Sequence, residues 1–133
     1  MQSRASIELE DWTGRRYLSI LDTCSPPLSC MRVFGIDPGS TATGYAVVER
    51  AGGRFRLLVA GVIRTKSSDP IPERLAAIYQ GLNAQLTVAK VDCVAIEAIF
   101  RHRSSDSAIR LGQARGVALL AAGLHGLDVS EYN

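Results

Sequence analysis

From residue 31 onward the chain alternates between short apolar runs closed by turn residues and longer stretches in which apolar positions recur every three or four residues. Arg32-Val-Phe-Gly-Ile-Asp37 is a nearly continuous apolar run ended by Pro38-Gly39, the pattern of a buried strand running into a tight turn. Small and β-branched residues resume from Thr43 to Glu49. A third run covers Arg54 to Thr65, with Ala51-Gly52-Gly53 as the hairpin connection. The period then changes: Leu75, Ile78, Tyr79, Leu82 and Leu86 fall on one stripe of a helix that starts at Asp69-Pro70-Ile71-Pro72, where proline suits the first turn. Gly81 lies inside that helix and costs it about 1 kcal/mol relative to alanine, which packing must offset. Val91 to Glu97 is a second apolar run ending in an acid. Ser104-Ser105-Asp106 offers N-caps to a helix from about Ser107 to Leu124, and Asp128 to Tyr132 reads as a last strand. The order β-β-β-α-β-α-β predicts a mixed sheet covered by helices, an α/β domain.

The first 30 residues follow neither period and end in Cys-Ser-Pro-Pro-Leu-Ser-Cys, which reads as an irregular extension. Residues 31–133 are expected to form the domain, with Met31 as the functional initiator. At 133 residues, 47% hydrophobic and 21% charged, the chain suits one folded domain and excludes a multidomain enzyme or a disordered chain. Its net charge of +2 is uneven: residues 1–30 carry three arginines against four acids, and the remainder twelve bases against nine acids. Three cysteines build neither a disulfide framework nor a four-ligand zinc site, so a reducing cytoplasm is the expected setting. No stretch approaches the roughly 20 apolar residues of a bilayer span.

Two acids stand where chemistry is usually placed. A helical crossover between the third and fourth strands allows the runs ending in Asp37 and Glu97 to lie parallel and adjacent. Two carboxylates about 5 Å apart at an effective dielectric near 20 repel by roughly 3 kcal/mol, which calls for a proton or a cation. Oxygen ligands favour a hard ion, Mg²⁺ or Mn²⁺, and an ion pair about 4 Å apart can activate water and stabilise both oxygens of a phosphodiester displacement. The plainer reading is that Asp37 caps its turn and Glu97 only ends its strand; spacing alone leaves the two balanced. Phe100, Arg101 and Arg103 follow Glu97 directly and could stack on an unpaired base and hold phosphates, or be packing and a solvated loop. In the second helix Ala108, Gly112 and Gly116 form a flat stripe suited to close backbone approach, either by a second subunit or by the first helix.

Phe34-Gly-Ile-Asp-Pro-Gly-Ser40, Thr43-Gly-Tyr45, Gly61-Val-Ile-Arg-Thr-Lys66, Pro72-Glu-Arg-Leu75, Ala95-Ile-Glu-Ala-Ile-Phe100 and Leu111-Gly-Gln-Ala-Arg-Gly-Val117 together resemble the RuvC family of Holliday junction resolvases, within the ribonuclease-H-like superfamily. The resemblance implies a five-stranded sheet of order 3-2-1-4-5. It implies a homodimeric, Mg²⁺-dependent endonuclease with two ions per complete site. Such an enzyme cuts four-way DNA junctions symmetrically, in recombination and repair, with the RuvA and RuvB branch-migration proteins. Asp37 and Glu97 match the family's first two catalytic and metal-binding carboxylates, Phe100 an aromatic near the junction crossover, and the helix bearing Gly112 the one that builds the dimer.

One departure counts against full activity. The family carries two further catalytic acids on a helix after the fifth strand, beyond the position matched by Tyr132. The chain is therefore expected to be a C-terminally truncated fragment with impaired activity, and apolar sheet surface is expected to lie open. Two other functions compete: a non-catalytic dimer that binds junctions, and a fragment of the sugar kinase, actin and chaperone ATPase superfamily, whose phosphate hairpin Asp37-Pro-Gly39-Ser40 also resembles.

Overall fold

The computed structural model describes residues 9–10, 16–17, 30–98 and 105–132. In chain order the domain comprises β1 (Cys30–Asp37), β2 (Ala42–Ala51), β3 (Arg54–Arg64), α1 (Ile71–Ala89), β4 (Cys93–Glu97), α2 (Ser105–Leu124) and β5 (Asp128–Tyr132). The five strands form one sheet in the order β3-β2-β1-β4-β5, the topology expected above. A separate two-residue ladder pairs Leu9–Glu10 with Arg16–Tyr17.

β1, β2 and β3 are an antiparallel meander, and β4 and β5 add to it in parallel. Gly52 and Gly53 close the β2–β3 hairpin with φ of 55° and 75°, the double left-handed geometry of a tight two-residue turn. Between Val47 and Val48 the register slips by one, and Leu58 of β3 is left over as a bulge.

Alternation divides the sheet into two faces. On one, Phe34, Ile36, Val47, Val94 and Ile96 pack against Ile78, Leu82 and Leu86 of α1 and against Ala114, Ala118, Ala121 and Ala122 of α2. Phe34 and Tyr45 stack there, centroids 5.8 Å apart and planes 9° from parallel. α1 passes close over β3 because Gly81 has no side chain: a Cβ at that position would lie 2.7 Å from Ile63 Cδ1. That contact is the packing which offsets glycine's helix cost. On the other face Met31, Val33, Cys93 and Ala95 form a second buried cluster with Tyr132 against it. These four residues are at most 4% exposed, whereas Leu57 and Val62 of β3 are 62% and 50% exposed, so the expected open apolar surface lies at β3 rather than at the centre of the sheet.

Cys93 is disulfide-bonded, whereas Cys30 is a free, exposed thiol. The α2 face that packs on its own domain is the alanine stripe, with Ala108 half-buried and Gly112 and Gly116 exposed. A Cβ at Gly112 or Gly116 would meet nothing within 4 Å, so this stripe does not pack on α1.

At the end of the sheet remote from the acids, Glu49 joins Arg32 and Arg56, each at 2.8 Å. Arg32 also reaches the carbonyl of Ala89 at 3.5 Å, and its backbone N–H donates to Asp92 at 2.7 Å. The helix-to-β4 connection is thereby tied to β1, with Lys90 as the helix C-cap in the left-handed region at φ 47°.

Candidate functional site

β1 and β4 bring the two strand-end acids together. Their register pairs Val33 with Cys93 and Ile36 with Ile96, so Asp37 and Glu97 are the next step along neighbouring strands, about 4.8 Å apart by strand spacing. Both follow the odd-numbered alternation of Met31, Val33, Cys93 and Ala95, and so both project on the face away from the helices. Asp37 is exposed and Glu97 half-buried. Neighbours on that row widen the site: Gly44 pairs with Asp37 and Tyr132 with Glu97. Gly44 offers no side chain, and a Cβ there would sit 3.6 Å from the Asp37 Cβ.

The turn after Asp37 is held from several sides. Thr43, fully buried, donates its hydroxyl to the Gly39 carbonyl at 2.7 Å and accepts the Gly39 N–H at 3.3 Å. Gly39 must be glycine, because a Cβ would sit 2.2 Å from the Ala42 carbonyl oxygen. Thr65, just past β3, donates its hydroxyl to the Ser40 carbonyl at 2.6 Å and its N–H to Thr41 at 3.0 Å. Arg74 of α1 donates to the same Ser40 carbonyl through Nη2 at 2.6 Å and Nε at 3.1 Å. The sequence reading passed over Arg74, since one cation beside a helical stripe reads as solvated. The available signal was its four-residue spacing to Ile78, Leu82 and Leu86, the other buried positions of α1.

Two carboxylates at the ends of neighbouring strands and on one face could hold a divalent hard cation, because Mg²⁺ is commonly held by one or two carboxylates with waters and substrate phosphates completing its shell. Among the described residues no group of three or more His, Cys, Asp or Glu side chains is placed to hold a metal. Phe100, Arg101 and Arg103 lie outside the described residues. On α2, Gly112 and Gly116 lie with Ile109, Leu120 and Leu124 on an exposed face, the three large side chains 61%, 56% and 65% accessible. Arg115 turns the other way and pairs with Glu131 of β5. No helix among the described residues is long and apolar enough to cross a membrane.

Comparison with known proteins agrees with the fold. Residues 33–133 match the family model of crossover junction endodeoxyribonuclease RuvC. RuvC of Hahella chejuensis is 48% identical over 103 residues, covering 77% of this chain and 59% of that protein. RuvC of Saccharophagus degradans is 46% identical over 100 residues, covering 75% and 58%. The chain thus spans less than two thirds of the length of these relatives. Among solved structures it is similar to T. thermophilus RuvC in complex with Holliday junction substrate, with a TM-score of 0.73 at 35% identity over 77% of this chain and 65% of that one. The yeast mitochondrial Holliday junction resolvase Ydc2 shares the fold, with a TM-score of 0.58 at 16% identity over 83% and 52%.

Proposed function

Because this chain belongs to the crossover junction endodeoxyribonuclease RuvC family, we propose that its Asp37–Glu97 edge is the ion-binding part of a site for phosphodiester hydrolysis at four-way DNA junctions. The observation that carries the reading is the parallel β1–β4 register, which ends two neighbouring strands in carboxylates on one face. Asp37 and Glu97 would hold Mg²⁺, or Mn²⁺ in its place. A bound ion there would supply Lewis-acid activation of water and neutralise charge on the phosphate. The chain's own contribution is placement. Asp37 is fixed by the turn that Thr43, Thr65 and Arg74 hold, Gly44 keeps the space beside it clear, and Glu97 is carried by the most buried strand of the sheet.

Residues 31–133 form the nuclease-type domain in this reading, with residues 1–30 as its extension. Phe100, Arg101 and Arg103 would contact the junction, and the α2 stripe of Ala108, Gly112 and Gly116 would meet its counterpart in a homodimer. RuvA and RuvB are the expected partners and the cytoplasm the expected compartment, although the Cys93 disulfide runs against the latter. A complete site would take two ions. Impaired activity of this chain is part of the same proposal, and the second reading is junction binding without cutting.

Incubating the full chain with a synthetic four-way junction and Mg²⁺, beside Asp37→Asn and Glu97→Gln, tests both. Cleavage abolished in both variants supports the nuclease, and junction binding with no cleavage in any of the three supports the second reading. Equal affinity for junction and linear duplex would overturn both.

A further inference from the structure

We propose that Arg74 is a positioning residue for the ion-binding edge: it fixes the β1–β2 turn, and through that turn the Asp37 carboxylate. This rests on the functional reading above and names a residue on α1, outside the acidic pair, on which that site depends. Arg74 is 2% exposed, and no carboxylate among the described residues pairs with it. Burying a guanidinium is costly unless its donors are used, and an apolar side chain of similar volume in its place is often neutral or stabilising. The neighbouring buried positions at the same spacing, Ile78, Leu82 and Leu86, are apolar, so packing alone would be served by methionine or leucine.

What the guanidinium adds is directional. Its Nη2 and Nε converge on one acceptor, the Ser40 carbonyl, at 2.6 and 3.1 Å, and Thr65 Oγ1 donates to the same oxygen at 2.6 Å. Nε also lies 3.4 Å from that hydroxyl. Helix α1, the segment after β3 and the β1–β2 turn therefore meet at one atom, three residues beyond Asp37. Lysine could supply the charge but not two N–H groups at a fixed angle. A turn held at Ser40 by Arg74 and at Gly39 by Thr43 leaves Asp37 little freedom to swing away from Glu97.

The test uses the full chain with Arg74→Lys, Arg74→Met and Thr65→Val, and with Leu86→Ala as a destabilised control at the far end of α1. Two quantities are read: amide exchange across residues 39–42, and affinity for Mn²⁺ from paramagnetic broadening that Asp37→Asn abolishes. Both Arg74 variants should exchange faster across 39–42 and bind Mn²⁺ about tenfold or more weakly, the usual scale for groups that orient a metal ligand. Arg74→Met should change Tm little while still losing the affinity, and Leu86→Ala should lose Tm with Mn²⁺ affinity unchanged. If Arg74→Met does not fold, Thr65→Val carries the same expectation through the shared carbonyl. Arg74 variants that bind Mn²⁺ as tightly as wild type, or a Leu86→Ala that weakens it equally, would overturn the proposal. A wild-type protein whose Mn²⁺ response is indifferent to Asp37→Asn would instead overturn the reading of the edge as an ion site, and this proposal with it.

Discussion

Gly39 and Gly44 flank the same carboxylate, yet they should respond differently to a methyl group. At Gly39 a Cβ would meet the Ala42 carbonyl at 2.2 Å, a backbone atom that cannot rotate aside, so Gly39→Ala should lose roughly 1–3 kcal/mol in urea denaturation. At Gly44 the contact is an ordinary 3.6 Å to Asp37 Cβ, so Gly44→Ala should leave stability within about 0.5 kcal/mol. A second residue-scale expectation concerns Glu49. The Arg32 hydrogen bond, outweighing burial, holds its carboxyl below the ordinary 4.5, with Arg56 adding to the effect. A carboxyl lowered in the folded state stabilises fully above the ordinary value and loses that contribution as pH falls through the folded one. The Tm gap between wild type and Glu49→Gln should therefore be constant above about pH 5 and close only in more acid buffer. Asp37 and Glu97 could be read from the sequence because each ends an apolar run. Arg74 left only its spacing to Ile78, Leu82 and Leu86 as a trace and Glu49 left none, because a lone charge in an amphipathic segment looks solvated until its partners, 34 and 17 residues away, are known.

Elements were legible where one period dominates. β5 occupies the expected Asp128–Tyr132, and α1 carries its expected stripe inward. The inward face of α2 gave no sequence signal, because alanine reads as neutral filler in a hydrophobic pattern and yet Ala114, Ala118, Ala121 and Ala122 are the buried residues by which the helix joins the core. The bulge at Leu58 gave no signal, since one extra apolar residue in a long apolar strand leaves composition unchanged. Two substitutions test the helix account. Gly81→Ala should destabilise despite a helix-propensity gain of about 1 kcal/mol, because Ile63 contributes atoms at 2.7, 2.8 and 3.2 Å from the new methyl. Pairing it with Ile63→Ala should show coupling in a double-mutant cycle. At the other end of α1, Lys90→Gly should raise stability by about 0.5–1 kcal/mol, because Lys90 is a side-chain-bearing residue held at φ 47°.

For the whole molecule the exposed face of α2 makes association separable from folding. Gly116→Arg replaces a poor helix former with a good one at an open position, so monomer stability should hold or rise while the proposed homodimer is blocked. Sedimentation velocity should show wild type shifting to twice its mass with concentration and the variant remaining a monomer; a variant that still dimerises would place the interface elsewhere. A different consequence follows from the pairing of Val33 with Cys93 across the α1 crossover. Closing a loop of about 60 residues costs on the order of 3.6 kcal/mol in chain entropy, whereas the meander closes through tight local turns. During refolding, pulse-labelled amides across residues 42–64 should gain protection ahead of those at 93–97, and on the ribosome the acidic pair is the last part of the sheet's centre to assemble. A nascent chain that has not yet released Glu97 has its hairpins in place and lacks the second carboxylate of the proposed ion site.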